Sequence, residues 1–181
     1  MIVEGYKVFD KGLINRYGMK FEEKKIYKVD TSKRSIKYGN QGYGFHFVKR
    51  MEDGLRYFDG MNKDIDIAKV ISFGEVKELY DDYYGYYDLY VTDSLKINHV
   101  LTREEIIEQV LNMHDERVKR FISGYKLTED EITKIINRFK IDEIIKVIDY
   151  YQRNIKDVYV KEKVYRKENL YGRYKHNSSN I

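Results

Sequence analysis

The first group that could do chemistry is the imidazole of His46, which lies between Phe45 and Phe47. Side chains alternate across a strand, so His46 is predicted to face away from the two phenylalanines. On the wall of a cleft it could act as a general base. No catalytic motif is recognisable, but if the protein is an enzyme, the candidate residues are His46 and Glu75. The alternative is a half-buried strand histidine that makes one hydrogen bond.

The other histidines do not form a metal site by their spacing. His99, His114 and His176 are scattered along a chain that has no cysteine, so we predict no bound metal. His114 falls on the apolar stripe of a predicted helix and is expected to be packed. The glycine-rich segment 39–44 lacks the lysine and serine of a phosphate loop and leads into a strand, so it predicts a turn. No cofactor is predicted.

The most distinctive segment, 75–93, combines carboxylates with tyrosines on a predicted hairpin. Carboxylates spaced along a hairpin can imitate phosphates, and tyrosines supply contact area at a low cost in conformational entropy. This surface could occupy a basic nucleic-acid channel on another protein. The alternative is a solvated edge hairpin, whose charges prevent aggregation. The predicted partner-binding residues are Glu78, Asp81, Asp82, Tyr83, Tyr84, Tyr86, Tyr87 and Asp88.

The basic charge of the chain is concentrated at its C-terminal end. The net charge is +4, and residues 156–181 alone carry +4, so the remainder is neutral. Bases interleaved with tyrosines can bind single-stranded nucleic acid, although a solubilising tail has the same composition. The candidate nucleic-acid-binding residues are Lys161, Lys163, Arg166, Lys167, Arg173 and Lys175.

Composition restricts the class of protein. The 181 residues suffice for one domain with a small annex, and they include 19 tyrosines but no proline, tryptophan or cysteine. The absence of cysteine fits a reducing compartment. No signal peptide or membrane-spanning stretch is recognisable, so the expected location is the cytoplasm of a bacterial host.

Strands are predicted in the first half of the chain. Short runs of β-branched and aromatic residues, separated by glycine and turn residues, predict strands at 6–9, 26–29, 45–48, 65–73, 75–80, 86–91 and 95–100. The run 65–73 is the most apolar and is predicted to be a central strand. A short helix is predicted at 49–58.

Helices are predicted after residue 100. Thr102 with Glu105 and Thr128 with Glu131 are capping boxes, which open helices ending near Gly124 and near Phe139. A third helix is predicted at 142–154. The expected fold class is α+β, with a mainly antiparallel β N-terminal half followed by a helical C-terminal unit. The expected divisions are a β-rich domain at 1–100, a helical unit at 101–155, and a basic tail at 156–181.

Three segments carry a resemblance to a known family. Residues 6–13, 17–22 and 44–47 resemble an uncharacterised domain family of phages and bacteria, with a "YKGF" opening, a "GFxFExGKxY" segment and a "GFHxC" strand. The likeness covers about residues 4–97. Val8 stands where that family often has glycine, and Val48 stands near its cysteine. The resemblance implies a phage or mobile-element origin.

The same order of elements also resembles an ADP-ribosyltransferase-like fold, which some phage inhibitors of bacterial defence use. That resemblance implies an NAD-using enzyme with His46 and Glu75 near the nicotinamide. The chain departs from the pattern because the first strand has Lys7 in place of arginine and no Ser-Thr-Ser element follows. The one Glu-x-Glu, from Glu129 to Glu131, opens a helix.

These patterns together favour a non-enzymatic phage protein that binds and inhibits a host defence protein. The concrete expectation is an anti-CRISPR protein whose acidic hairpin occupies the nucleic-acid channel of a Cas9-like nuclease carrying its guide RNA. The first alternative is the NAD-using transferase. The second is a nucleic-acid-binding protein that acts through the basic tail.

Overall fold

Seven antiparallel strands form one sheet in the part of the chain that this computed structural model describes, namely residues 2–37, 42–80 and 88–152. Their spatial order is β2-β7-β4-β1-β3-β6-β5. The predicted strands are all present, and the fold class is α+β as predicted. The strands are β1 (Glu4–Asp10), β2 (Ile26–Lys28), β3 (Phe45–Val48), β4 (Ile65–Ser72), β5 (Val76–Tyr80), β6 (Asp88–Thr92) and β7 (Ser94–Val100).

An aromatic and aliphatic core covers one face of the sheet. Alternation along each strand sends every second side chain to this face, where the rings of Phe9 and Phe21 lie 5.2 Å apart. β4 is an interior strand, as predicted, and it is buried on both faces. The buried core residues on this face are Phe9, Phe21, Phe45, Phe47, Ala68, Val70, Tyr90, Leu95 and Ile97.

The helices lie after β3 and after β7. They are α1 (Met51–Gly54), which a 3-10 turn at Leu55–Tyr57 extends, α2 (Arg103–Leu111), α3 (Asp115–Gly124), α4 (Glu129–Phe139) and α5 (Asp142–Tyr151). Both predicted capping boxes are present at the start of α2 and α4. The chain divides into two units between Lys126 and Leu127. In the second unit, α4 and α5 contact each other.

The single helix predicted from Thr102 to Gly124 is wrong, because two helices occupy this stretch. The side chain of Asn112 donates a hydrogen bond to the carbonyl of Glu108, while its backbone N–H bonds to the carbonyl of Gln109. Asparagine competes for helix carbonyls in this way, and the helix ends there. His114, predicted to be packed, is instead the exposed N-cap of α3.

The shortest strand pairing in the sheet lies at its centre. β1 pairs with β4 at seven positions, whereas β1 and β3 pair at one position, Tyr6 with Val48. Gly5 lies beside that pair, and a Cβ at this position would be 2.4 Å from the carbonyl oxygen of Val48. Glycine is therefore required for the close approach of β1 to β3.

Replacing Gly5 with alanine is expected to destabilise the protein by about 1–3 kcal/mol, because the added methyl group forces the two strands apart. Urea denaturation followed by circular dichroism measures this loss. Glu4→Ala, a change at an exposed residue of the same strand, is the matched control. Equal denaturation midpoints for the two variants would show that the close approach carries no energetic weight.

Candidate functional site

A cleft opens where the pairing of β1 with β3 stops. Its volume is about 520 Å³, which lies within the range of about 300–1,000 Å³ typical of small-molecule sites. We call it the strand cleft. Aromatic side chains form much of its wall, together with backbone from Gly44 and Gly54. The aromatic residues are Tyr6, Tyr17, Phe21, Phe45, Phe47, Tyr57 and Phe58.

Two cations and no carboxylate line the strand cleft, as far as the described residues show. The cations are Lys7 from β1 and Arg16 from the loop after it. Asn15 shapes this loop, since its side-chain oxygen accepts hydrogen bonds from the backbone N–H groups of Tyr17 and Met19, both at 2.9 Å. The Arg16 guanidinium lies 6.0 Å from the centre of the exposed Tyr17 ring. The cleft is therefore electropositive and aromatic.

Lys7 spans the gap between the two strands. Its Nζ donates a hydrogen bond of 2.6 Å to the backbone carbonyl of His46 and lies 5.5 Å from the centre of the Phe9 ring. The side chain is half-buried, and burial lowers the pKa of the Lys7 amine to about 8. Among the described residues, no carboxylate forms an ion pair with it. An uncharged carbonyl, and not a carboxylate, therefore holds its ammonium group.

His46 lines the strand cleft, and its role as a general base stays a prediction. Phe45 and Phe47 are buried in the core, whereas His46 is half-buried. Burial, together with the positive charge of Lys7, lowers the pKa of the His46 imidazole to about 4. The ring is therefore neutral at pH 7, where it can donate or accept a hydrogen bond. A histidine with this pKa is a weaker general base than one near 7.

Glu75 lies away from the strand cleft. It is exposed just before β5, and its carboxylate lies 3.3 Å from the amine of Lys77. β6 separates β5 from β3, and His46 is aligned with Val91 of β6, which in turn is aligned with Lys77. The structure therefore does not bring His46 and Glu75 together.

Most of the predicted partner-binding residues lie outside the described residues, namely Asp81, Asp82, Tyr83, Tyr84, Tyr86 and Tyr87. Glu78 lies on β5 at the edge of the sheet, and its carboxylate accepts a hydrogen bond of 3.0 Å from the hydroxyl of Tyr90. Asp88 begins β6. The candidate nucleic-acid-binding residues of the tail, Lys161, Lys163, Arg166, Lys167, Arg173 and Lys175, also lie outside the described part of the chain.

A buried charge cluster connects α1 to α3. It was not predicted from the sequence. The carboxylate of Glu52 accepts two hydrogen bonds from Arg117, one of them at 3.0 Å, and Asp53 accepts one at 3.0 Å from Arg120. We call these four residues the charge clasp. Both acidic side chains are fully buried, and the arginine side chains are about a third exposed. Burial and the neighbouring Glu52 raise the pKa of the Asp53 carboxyl to about 6.

His99 forms a second cluster, on the surface. Its two ring nitrogens lie 3.1 Å from a carboxylate oxygen of Glu23 and 2.9 Å from one of Glu105. The hydrogen bonds to Glu105 and Glu23 raise the pKa of the His99 imidazole. In the described ranges, no three histidine, aspartate or glutamate side chains are grouped so that they could hold a metal ion.

These features define an α+β domain with an aromatic, electropositive cleft in its sheet. The chain belongs to the family described as a domain of unknown function, DUF7666, whose sequence model matches residues 3–109. That range includes the seven strands, α1 and the whole lining of the strand cleft. No curated protein and no solved structure matches the chain. Within the described residues, no helix is both long and apolar enough to cross a membrane.

Proposed function

We propose that the protein binds a small anionic ligand with a planar ring in the strand cleft. The observation that carries this proposal is Lys7, a half-buried cation that faces a cleft without carboxylates. Taking an ammonium group out of water is costly unless an anion compensates it. A bound phosphate or carboxylate would supply that anion.

The aromatic wall supports the second part of the proposal. Rings of Tyr17 and Tyr57 combine an apolar face with a hydroxyl group, which suits a flat ligand that also carries polar atoms. Nucleotides have this combination of a planar ring and a phosphate. NAD is a member of this class, so the transferase hypothesis remains a proposal with His46 as its testable residue. The separation of Glu75 from the cleft weighs against the proposed pairing of the two residues.

Nuclear magnetic resonance on isotope-labelled protein tests the proposal residue by residue. The probes are AMP, NAD and pyridoxine 5′-phosphate, each compared with an uncharged counterpart where one exists, namely adenosine or pyridoxine. We expect the charged probes to shift the amide signals of β1 and β3 and to bind at least about tenfold more tightly, which corresponds to 1.4 kcal/mol for the ion pair.

Lys7→Met is expected to weaken binding of the charged probes by about tenfold or more, because it removes the buried cation. Binding should also weaken above about pH 8, where the Lys7 amine loses its proton. Lys11→Met is the matched control, since Lys11 lies just after β1 but is exposed. If the uncharged probes bind equally well, or if the shifts map elsewhere, the proposal is wrong.

The hypothesis of an anti-CRISPR inhibitor remains a second proposal and concerns a different surface. It depends on the predicted partner-binding residues of segment 75–93, among which Glu78 is the one whose side chain the structure describes. Charge reversal at Asp81, Asp82 and Asp88 should abolish binding to a guide-loaded nuclease in a pull-down. Unchanged capture of the nuclease would exclude mimicry of nucleic acid by this hairpin.

The hypothesis of nucleic-acid binding through the tail is tested by truncation. A chain ending at Ile155 should lose a salt-sensitive gel shift with single-stranded nucleic acid, because phosphate contacts release counterions. A shift retained after truncation would assign the binding to another surface.

A further inference from the structure

Two lysines near the end of β1 have opposite environments. Lys11 is exposed, and its amine lies 2.8 Å from a carboxylate oxygen of Asp66. Lys7 is half-buried, lines the strand cleft, and bonds to an uncharged carbonyl. A desolvated lysine in an apolar pocket, without a carboxylate to hold its proton, is the arrangement that makes an amine nucleophilic.

We propose that Lys7 condenses with an aldehyde or ketone group of the ligand in the strand cleft and forms an imine. This inference rests on the proposed function, since the ligand must first occupy the cleft. It narrows the ligand class to a carbonyl compound that also carries an anionic group. The anionic group would pair with the Lys7 ammonium when the ligand enters the cleft, and Arg16, the other cation of the lining, would hold that group once the Lys7 nitrogen has become the imine.

The step balances without an oxidant or a reductant. The lone pair of the Lys7 nitrogen attacks the carbonyl carbon, a C–N bond forms as the carbonyl π bond opens, and one proton passes from the nitrogen to the oxygen. The resulting carbinolamine then loses its hydroxyl group as water, with one proton supplied to the oxygen and one lost from nitrogen. The net products are the imine and one water molecule.

Two physical features favour this reaction at Lys7. Burial lowers the pKa of the amine to about 8, so about a fifth of it is neutral at pH 7.4. The second feature is the aromatic lining, in which Phe45 and Phe47 give the imine apolar surface to lie against. Lys11 has neither feature, because its bond to Asp66 raises the pKa of its amine.

Reductive trapping tests the proposal on the full chain. The probe is pyridoxal 5′-phosphate, which combines a planar ring, a phosphate and an aldehyde, and borohydride then fixes any imine as a stable amine. Peptide mass mapping compares the labelling rates of Lys7 and Lys11 in the unmodified sequence. We expect Lys7 to be labelled at least about tenfold faster, with a rate that rises through pH 8. Equal labelling of the two lysines would overturn the proposal.

A variant and a second ligand separate this proposal from the binding proposal. Lys7→Arg keeps the positive charge but cannot form the imine, so it should lose the fast label while Lys11→Arg keeps it. Pyridoxine 5′-phosphate has an alcohol in place of the aldehyde and reports binding alone. If it binds in the strand cleft while Lys7 is not trapped, the imine is excluded and the binding proposal stands. If Lys7 is trapped rapidly but no anionic probe outbinds its uncharged counterpart, the binding proposal fails instead.

Discussion

In the Asp53→Asn variant, the free energy of unfolding is expected to increase by roughly 2 kcal/mol as the pH is raised from about 4.5 to 6.5. In the His46→Asn variant, it is expected to decrease by a similar amount over the same range. In the native sequence these two dependences oppose each other over the same window. The profile of the native protein should therefore be nearly flat there. Each variant removes one contribution and exposes the other.

The sign for His46 follows from its lowered pKa. The imidazole has a pKa of about 4 in the folded protein against 6.5 for the unfolded chain. Between these values the unfolded chain binds more protons, so stability increases with pH. The contribution of His46 is fully present above pH 6.5 and is lost as the pH falls towards 4.

The sign for Asp53 is the reverse, because its pKa is raised. The carboxyl has a pKa of about 6 in the folded protein against 3.8 for the unfolded chain. Between these values the folded protein binds more protons, so stability decreases as the pH rises. Protonation of Asp53 removes a buried negative charge and its repulsion by Glu52. These two effects outweigh the lost attraction to Arg120.

Urea denaturation at half-unit steps of pH measures both slopes. Other groups with shifted pKa values act largely outside this window. Lowered carboxyl pKa values are found at Glu22, Glu23 and Glu105, and their contribution to stability is lost below the ordinary value of 4.5. The pKa of His99 is raised, so its contribution to stability changes above pH 6.5. Asp64→Asn, at an exposed carboxyl, is the control and should leave the profile flat. Parallel profiles for all three variants would refute the assigned pKa shifts.

Arg117→Met is expected to cost about 3 kcal/mol of stability, because it leaves the carboxylate of Glu52 buried without its partner. Glu52 is fully buried and receives both of its hydrogen bonds from the Arg117 guanidinium. Removing one member of a buried pair costs far more than the pair contributes, since the remaining charge has lost its water. Urea denaturation near neutral pH gives the loss directly.

A double-mutant cycle separates this effect from simple loss of packing. Glu52→Gln combined with Arg117→Met should recover more than about 1 kcal/mol of the loss, since no buried charge then remains. Lys119→Met, which removes an ion pair with the exposed Glu116 on the same helix, should cost less than about 1 kcal/mol. If the losses in the free energy of unfolding caused by Glu52→Gln and Arg117→Met were strictly additive, the buried ion pair would be excluded as the cause of the loss.

The features that depend on neighbours along the chain could be predicted from the sequence. Alternation around His46 located β3, and the pairs Thr102 with Glu105 and Thr128 with Glu131 located two helix starts. The break at Asn112 was missed because Val118 and Phe121 continue the apolar stripe at helical spacing. A stripe of this kind does not show whether one helix or two present it.

The strand cleft and the charge clasp depend on contacts between distant residues. Lys7 reaches the carbonyl of His46 across 39 positions of sequence, and Glu52 meets Arg117 across 65. Lys7 lies in the middle of β1 between Tyr6 and Val8, and two arginines lie three positions apart on α3, at 117 and 120. These two patterns are visible in the sequence, but neither indicates which distant residue the lysine or the arginines contact.

The single pair between β1 and β3 has a mechanical consequence. A sheet with continuous ladders transmits torsion from edge to edge, because several hydrogen bonds close every seam. Here four strands lie on one side of the seam between β1 and β3, and three lie on the other. The pair of Tyr6 with Val48 and the hydrogen bond of the Lys7 amine connect the two groups there. A ligand bound in the strand cleft would contact β1 on one side and β3 on the other, and would add a connection that the missing ladder does not supply.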